Sequence, residues 1–304
     1  MKKIRFTKNS AIFCALAVTS IGALISGTVE DTGEVEKTEV VEKSEVIKAL
    51  LVTGEGYHDY AAQKKLITEG TSKLNANIEW TVWHHEGKNG GEEAKKALSA
   101  EGWADPFDIV VYNICHAKEK DQEFVDGLVA QHKAGIPCVA IHCTLHSYHW
   151  ELNGGKKSKA DKEWNKLFGV VSNTHGSRAP ITVTKVKDID HPAAANIPGE
   201  WKTKEGELYN IDKLYPTATV LANGVADLSK AVDKKGKKMK KKPKDFGTQP
   251  VIWVNKYGKA NVFGMSLGHH NSTVQSAEFL QVLTDGIVWA VNETKKDAEK
   301  AKEE

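Results

Sequence analysis

The chain has 304 residues, with 42 basic and 40 acidic side chains and a net charge of +2. That balance supplies no global field favouring nucleic acid as a partner. Its four cysteines include no CxxC pair, which excludes a four-thiolate zinc site within one chain.

Lys2, Lys3, Arg5 and Lys8 precede an apolar run from Ala11 to Ile25, about fifteen residues long and too short to span a bilayer comfortably. This pattern predicts a signal peptide over 1–27 and a periplasmic or secreted protein with no membrane span once it is removed. An uncleaved amino-terminal anchor is the alternative. Residues 28–45, TVEDTGEVEKTEVVEKSE, are acidic and lack aromatics, the composition of a flexible linker. One folded domain is expected over 46–292, followed by a charged tail over 293–304. Cys14 leaves with the signal. Three cysteines in an exported domain do not suggest a disulfide framework. Cys115 and Cys138 lie in or beside apolar runs and read as small buried hydrophobes.

Within the domain, VIKALLVTG (Val46 to Gly54) reads as a strand and Ala61 to Leu74 as a helix, by its apolar spacing. NIEWTVWHH (Asn77 to His85) alternates like a half-buried strand, and Glu92 to Ala100 is rich in helix formers. FDIVVYNIC (Phe107 to Cys115) is a continuous buried strand. Lys120 to Gly135 is an amphipathic helix stopped by glycine, and IPCVAIHC (Ile136 to Cys143) is the next strand. Further strands are expected at APITVTKV, TATVLA, PVIWVNKYG and ANVFGMSLG, the last two forming a hairpin around Lys256 to Lys259. Thr273 to Val291 closes the chain as a long helix, with Phe279, Leu280, Leu283, Ile287 and Val288 on its buried side. The alternation predicts a doubly wound α/β domain with a mostly parallel sheet and an antiparallel extension at one edge.

In such sheets ligands bind beyond the carboxyl ends of the strands. Those positions are rich in histidine: His58 with Asp59, His84 and His85, His116, then His142, His146 and His149, and finally His269 and His270. Three chemistries compete for AIHCTLHSYHW. Cys143 as a nucleophile on a strained elbow needs small residues two before and two after it, and Ile141 and Leu145 stand there. A divalent metal is the second reading: if the segment is helical, His142 and His146, four apart, share a face. Remote residues such as His269 or Asp59 would complete that site. A histidine-lined acid/base or binding pocket is the third. His175 precedes a strand, and His191 before Pro192 shapes a turn. The lysine-rich segment Asp233 to Asp245 contains no aromatic residue on which a base could stack, so it reads as a solvated loop. So does the shorter insert after Leu152.

GEGYHDY, FDIVVYNI, VAIHCTLHS, FGVVSNTHG, DIDHPAAANIP, GELYNID and VIWVNKYGKANVFGMSLGHH followed by GIVWA stand in the order and spacing of the ThuA-like (trehalose-utilisation) family. The resemblance covers nearly all of Val46 to Asn292. It implies a fold like that of class I glutamine amidotransferases without their nucleophilic cysteine, and so a protein that is not a glutamine amidotransferase. The family's usual pattern has serine at the position of Cys143 and keeps the histidine found here as His142. The namesake belongs to disaccharide catabolism through 3-keto intermediates, so the resemblance implies a sugar or 3-keto-sugar ligand. The corresponding chemistry is proton abstraction beside a carbonyl or acid/base cleavage. In that scheme His142 is the acid or base, and His58 with Asp59 orients or shares the proton. His116, His146, His175, Glu207, His269 and His270 hold substrate, with His142, His146 and His269 as candidate ligands for a divalent metal. Glu207 is promoted from an ordinary loop glutamate by the family context alone. A protein with that chemistry is an isomerase or a lyase/hydrolase; a noncatalytic sugar-binding or accessory protein on the same scaffold and a metal-dependent hydrolase are the alternatives. Oligomeric state is not legible.

Overall fold

The computed structural model describes residues 45–54, 56–85, 91–148, 163–233 and 235–304. The expected signal peptide, all but the last residue of the linker, His149 and most of the insert after Leu152 lie outside the described residues.

Five strands are mutually parallel and ordered β2 (Ile78–His85), β1 (Ile47–Gly54), β3 (Ile109–Ile114), β4 (Cys138–Ile141) and β11 (Ala260–Met265). The sheet continues antiparallel through β10 (Gln249–Tyr257), β9 (Ala218–Ala226), β6 (Ile181–Lys185) and β7 (Glu200–Lys202). The predicted parallel sheet and antiparallel extension are both present, and the tight hairpin closes where Tyr257 pairs with Ala260.

The parallel strands are apolar on both faces because both are covered. Along β1, Ala49 and Leu51 join one core while Leu50 and Val52 join the other. β3 divides in the same way into Ile109 and Val111 against Val110, Tyr112 and Ile114. On the first face lie Ile67 of α1 (Tyr60–Leu74) and Phe279, Leu283 and Ile287 of α6 (Ala277–Glu303). On the second lie Phe124 and Leu128 of α3 (Gln122–Ala134) and Trp164 and Leu167 of α4 (Glu163–Phe168). The short α2 (Gly91–Leu98) follows β2, and its Leu98 joins the second core.

The closing helix differs from expectation in two respects. It is broken into α5 (Asn271–Val274) and α6, with Ser276 capping the second piece by accepting from the Phe279 N–H. Leu280 and Val288 are only partly buried. The residues expected as a charged tail continue α6 to Glu303, held by Lys256 on Asp297 and by Lys295 Nζ at 2.8 Å from Glu45.

Three strands were not legible, the short edge strand β7 and two longer ones. β5 (Val170–Ala179) and β8 (Gly206–Leu214) pair antiparallel in a separate ribbon. His175 therefore lies within a strand, opposite Tyr209, and Glu207 stands in a strand opposite Arg178 instead of in a loop. Register shifts interrupt the pairing, which blurs the two-residue alternation by which strands are recognised.

Candidate functional site

β4 ends at Ile141, and the next residue, His142, turns the chain with φ of +46°. A left-handed backbone at a residue with a Cβ stores strain that the surroundings must hold in place. Gly268 permits the turn by packing against it: a Cβ there would sit 3.0 Å from Ile141 Cγ2 and 3.6 Å from His142 Cβ. The residues two before and two after His142 are Ala140 and Thr144, the small neighbours that a sharp strand-to-helix turn requires. The elbow that Ile141 and Leu145 argued against at Cys143 is present one residue earlier, with an imidazole at its tip. Thr144 fastens the turn by donating from Oγ1 to Tyr112 O at 2.8 Å. Gln63 on α1 donates to Gly268 O and accepts from Asn113 at the end of β3, both at 3.0 Å.

Cys143 is joined to Cys115 in a disulfide, their Cα atoms 5.1 Å apart. This corrects the expectation of unpaired, packed thiols. Among the described residues the remaining cysteine is Cys138, unpaired and buried in the sheet. A thiol in a disulfide is no nucleophile, which closes the acyl-transfer reading independently of the elbow.

His142 Nδ1 donates to Ser266 O at 2.7 Å. That bond fixes the tautomer and leaves the Nε2 lone pair directed inward, buried and without a hydrogen-bond partner. His58 and His269 converge on the same point, with ring centroids 4.9 Å and 5.5 Å from that of His142 and 5.0 Å from each other. One nitrogen from each ring lies within 4.8 Å of the others. Glu207 enters from β8, its Oε2 at 3.2 Å from His269 Nδ1, 3.5 Å from His175 Nδ1 and 3.9 Å from His142 Nε2. His175 is 40% exposed at its side chain and forms the open side.

Burial dominates the electrostatics. It holds His142 well below the ordinary imidazole range, with the neighbouring His58 and His269 adding to the effect. His58 is lowered to about 4, by burial first and then by His269, against an opposing pull from Glu207. Burial pushes Glu207 up, but the surrounding imidazoles, His269 foremost, outweigh it and keep the carboxyl below its usual value. Near neutrality His142 and His58 are therefore uncharged, and they stand beside an ionised Glu207.

This donor set fits a divalent cation. Three converging imidazoles, one oriented by a backbone carbonyl, form a usual ligand and outer-partner arrangement. Of the expected metal ligands, His142 and His269 belong to the group and His146 does not. Residues 142–146 form a 3-10 turn, where positions four apart point about 120° from each other instead of sharing a face. His146 instead stacks on Tyr209 at 4.1 Å and contacts Ser172 Oγ at 3.0 Å through Nε2. Tyr209 packs against His142 from the other direction, with centroids 4.5 Å apart.

Three further candidates have other work. Asp59 caps α1, accepting from Ala62 N at 3.1 Å through Oδ1, while its Oδ2 accepts from Asn271 at 2.8 Å. The expected pairing with His58 is therefore replaced by helix capping. His270 is exposed and caps α5 through Nδ1 at 3.2 Å from Ser272 N. His116 is 2% exposed, with Nδ1 at 2.6 Å from Tyr148 Oη, and is not among the three converging imidazoles. Tyr209 and the elbow geometry of His142 were missed. The latter was readable in AIHCT as small residues flanking a histidine.

Residues 48–290 match the family model described as "ThuA: Trehalose utilisation". A ThuA-like protein of Parabacteroides merdae is similar in structure, with TM-score 0.59 and 17% identity over 82% of this chain and 91% of that one. A ThuA-like protein of Bacteroides uniformis gives TM-score 0.57 and 15% identity over 82% and 92%. At such identities the likeness shows the fold. No curated protein shows significant sequence similarity to the chain.

Proposed function

The chain belongs to the ThuA, or trehalose-utilisation, family, and from that premise we propose that it acts on a sugar or 3-keto-sugar derivative by acid/base chemistry at the His58, His142, His269 and Glu207 site. The family connects the protein with trehalose utilisation. The observation that carries the finer reading is the inward, buried and unpartnered Nε2 of His142, fixed by Ser266 O and facing two more imidazoles and a carboxylate.

His58, His142 and His269 would hold a divalent cation. Bound there, it would polarise a substrate carbonyl or hydroxyl. Glu207 is the group that stays ionised near neutrality, so it is the base that takes a proton from the carbon beside a carbonyl, at Oε2. His175, against the same oxygen and open to solvent, passes that proton outward. This transfers the expected base from His142 to Glu207, because a deeply buried imidazole with a strongly lowered proton affinity is a poor acceptor. Tyr209 holds the His142 ring by its packing. The basic, then apolar start of the chain and the Cys115–Cys143 disulfide support export to an oxidising compartment. Among the described residues no helix is long and apolar enough to cross a membrane.

The test is metal content of the purified protein, before and after chelation and in His142→Ala, paired with proton–deuterium exchange beside the carbonyl of a 3-keto disaccharide. Near-stoichiometric metal lost in the variant, with exchange that needs Glu207, is the expected result. Metal absent from both proteins removes the cation and leaves an acid/base pocket. Saccharide binding without exchange or turnover makes the protein a binder.

A further inference from the structure

The lysine-rich segment after Asp233 is fastened to the strand that carries His175. Val232 N donates to Arg178 O at 2.8 Å at one end. At the other, Ser177 N donates to Lys244 O at 3.2 Å, Lys244 N donates to Ser177 Oγ at 2.9 Å, and Lys244 Nζ reaches Thr174 Oγ1 at 2.7 Å. Gly176 is packed so closely that a Cβ there would meet Lys244 O at 3.1 Å. The arm is thus pinned on both sides of His175, the open side of the site.

Its charge is strongly positive. Residues 235–244 contain seven lysines and no acid, and all seven are exposed. Among the described residues none of them forms an ion pair. The flanking acids serve the backbone: Asp233 Oδ1 accepts from Lys235 N and Lys237 N at 2.8 and 2.9 Å, and Asp245 Oδ1 accepts from Gly247 N at 2.9 Å. Beside the ribbon Glu205 pairs with Arg178, and within it Asp212 accepts from Asn173 and Asn210. A concentrated positive field raises the local concentration of anions around it. A nucleic acid would also need stacking platforms. The arm has none, and Phe246 just beyond it lies beneath Lys244 Nζ at 4.6 Å.

We propose that this arm selects an acidic saccharide, one bearing carboxylate or sulfate groups, and feeds it to the His142–Glu207 site. The inference rests on the sugar reading above and names its substrate class. The lysines hold the anionic substituents or neighbouring residues of the oligosaccharide at the rim, and the reacting sugar lies at the imidazoles.

The test measures binding of trigalacturonate, a sulfated disaccharide and neutral maltotriose by calorimetry at low and high salt. The proteins compared are the native chain, a variant with Lys237, Lys238, Lys240, Lys241 and Lys242 changed to Gln, the same five changed to Arg, and His142→Ala. The exposed positions leave folding intact, which a melting curve confirms. Expected are preference for the acidic probes, a loss of about tenfold or more in the Gln variant and at high salt, retention in the Arg variant, and weakening in His142→Ala. A carboxylate-only or sulfate-only response identifies the source within the proposed class. Equal binding of maltotriose overturns the selection for anions and leaves the sugar reading standing. Acidic binding unaffected by the Gln changes, or unaffected by His142→Ala, overturns the link between arm and site. No binding of any saccharide overturns both this proposal and the sugar reading.

Discussion

The parallel half of the sheet and the β5–β8 ribbon bring opposite kinds of chemical group to the same place. The parallel strands end in His58, His142 and His269, three rings that converge on one point. The ribbon brings Glu207, the one carboxylate among them, with His175 open to solvent and Tyr209 as packing. In the proposed chemistry the first set binds a cation and the second moves a proton. A site assembled from two regions of different regularity would separate these tasks, and substitutions can separate them too.

The largest effect falls where both tasks meet. His142→Ala should lose metal affinity by more than about a hundredfold and abolish exchange, read by elemental analysis and by deuterium incorporation. Retained stoichiometric metal would remove His142 from the ligand set. Glu207→Gln sharpens the comparison: metal content stays near native while exchange falls about 10²- to 10⁴-fold. Equal loss of metal and exchange would instead make Glu207 a ligand and dissolve the division of labour.

Acid probes the parallel half away from the site. Burial lowers His116 to about 3 and His132 to about 4, from an ordinary 6.5. The unfolded chain therefore binds protons that the folded chain refuses over that interval. Stability is fully present above about pH 6.5 and declines as pH falls toward 4 to 3, measured as melting temperature against pH. A melting temperature flat across that window would contradict the buried, neutral assignment. The smallest effect is expected at Asp59. Because asparagine caps helices as well as aspartate, Asp59→Asn should change stability by no more than about 0.5 kcal/mol and leave exchange within about twofold. A loss comparable to that of Glu207→Gln would restore Asp59 to the chemistry.

Legibility follows the same boundary between regions. Periodicity and length marked the parallel strands and their helices because each buries a continuous apolar run, as β3 does at all six positions. The carboxyl-edge rule then pointed to His58, His142 and His269 without any knowledge of their contacts. Glu207 was an ordinary glutamate until pairing placed it, since VVSNTHGSRA and GELYNID mix polar, small and aromatic residues and pair with register shifts. The same rule promoted His116, His146 and His270 alongside the three that converge, because a position after a strand does not tell where an imidazole turns.

By itself the sequence determined the α/β alternation, the antiparallel extension, the family and the histidine-rich edge, all of which rest on local pattern or linear spacing. Only the tertiary structure decided which imidazoles converge, that Asp59 and His270 are spent on helix caps, that Cys143 is tied to Cys115, and that a carboxylate arrives from a separate ribbon. Those outcomes depend on the direction of single side chains and on contacts between residues as far apart as His142 and Ser266, which neither composition nor periodicity encodes.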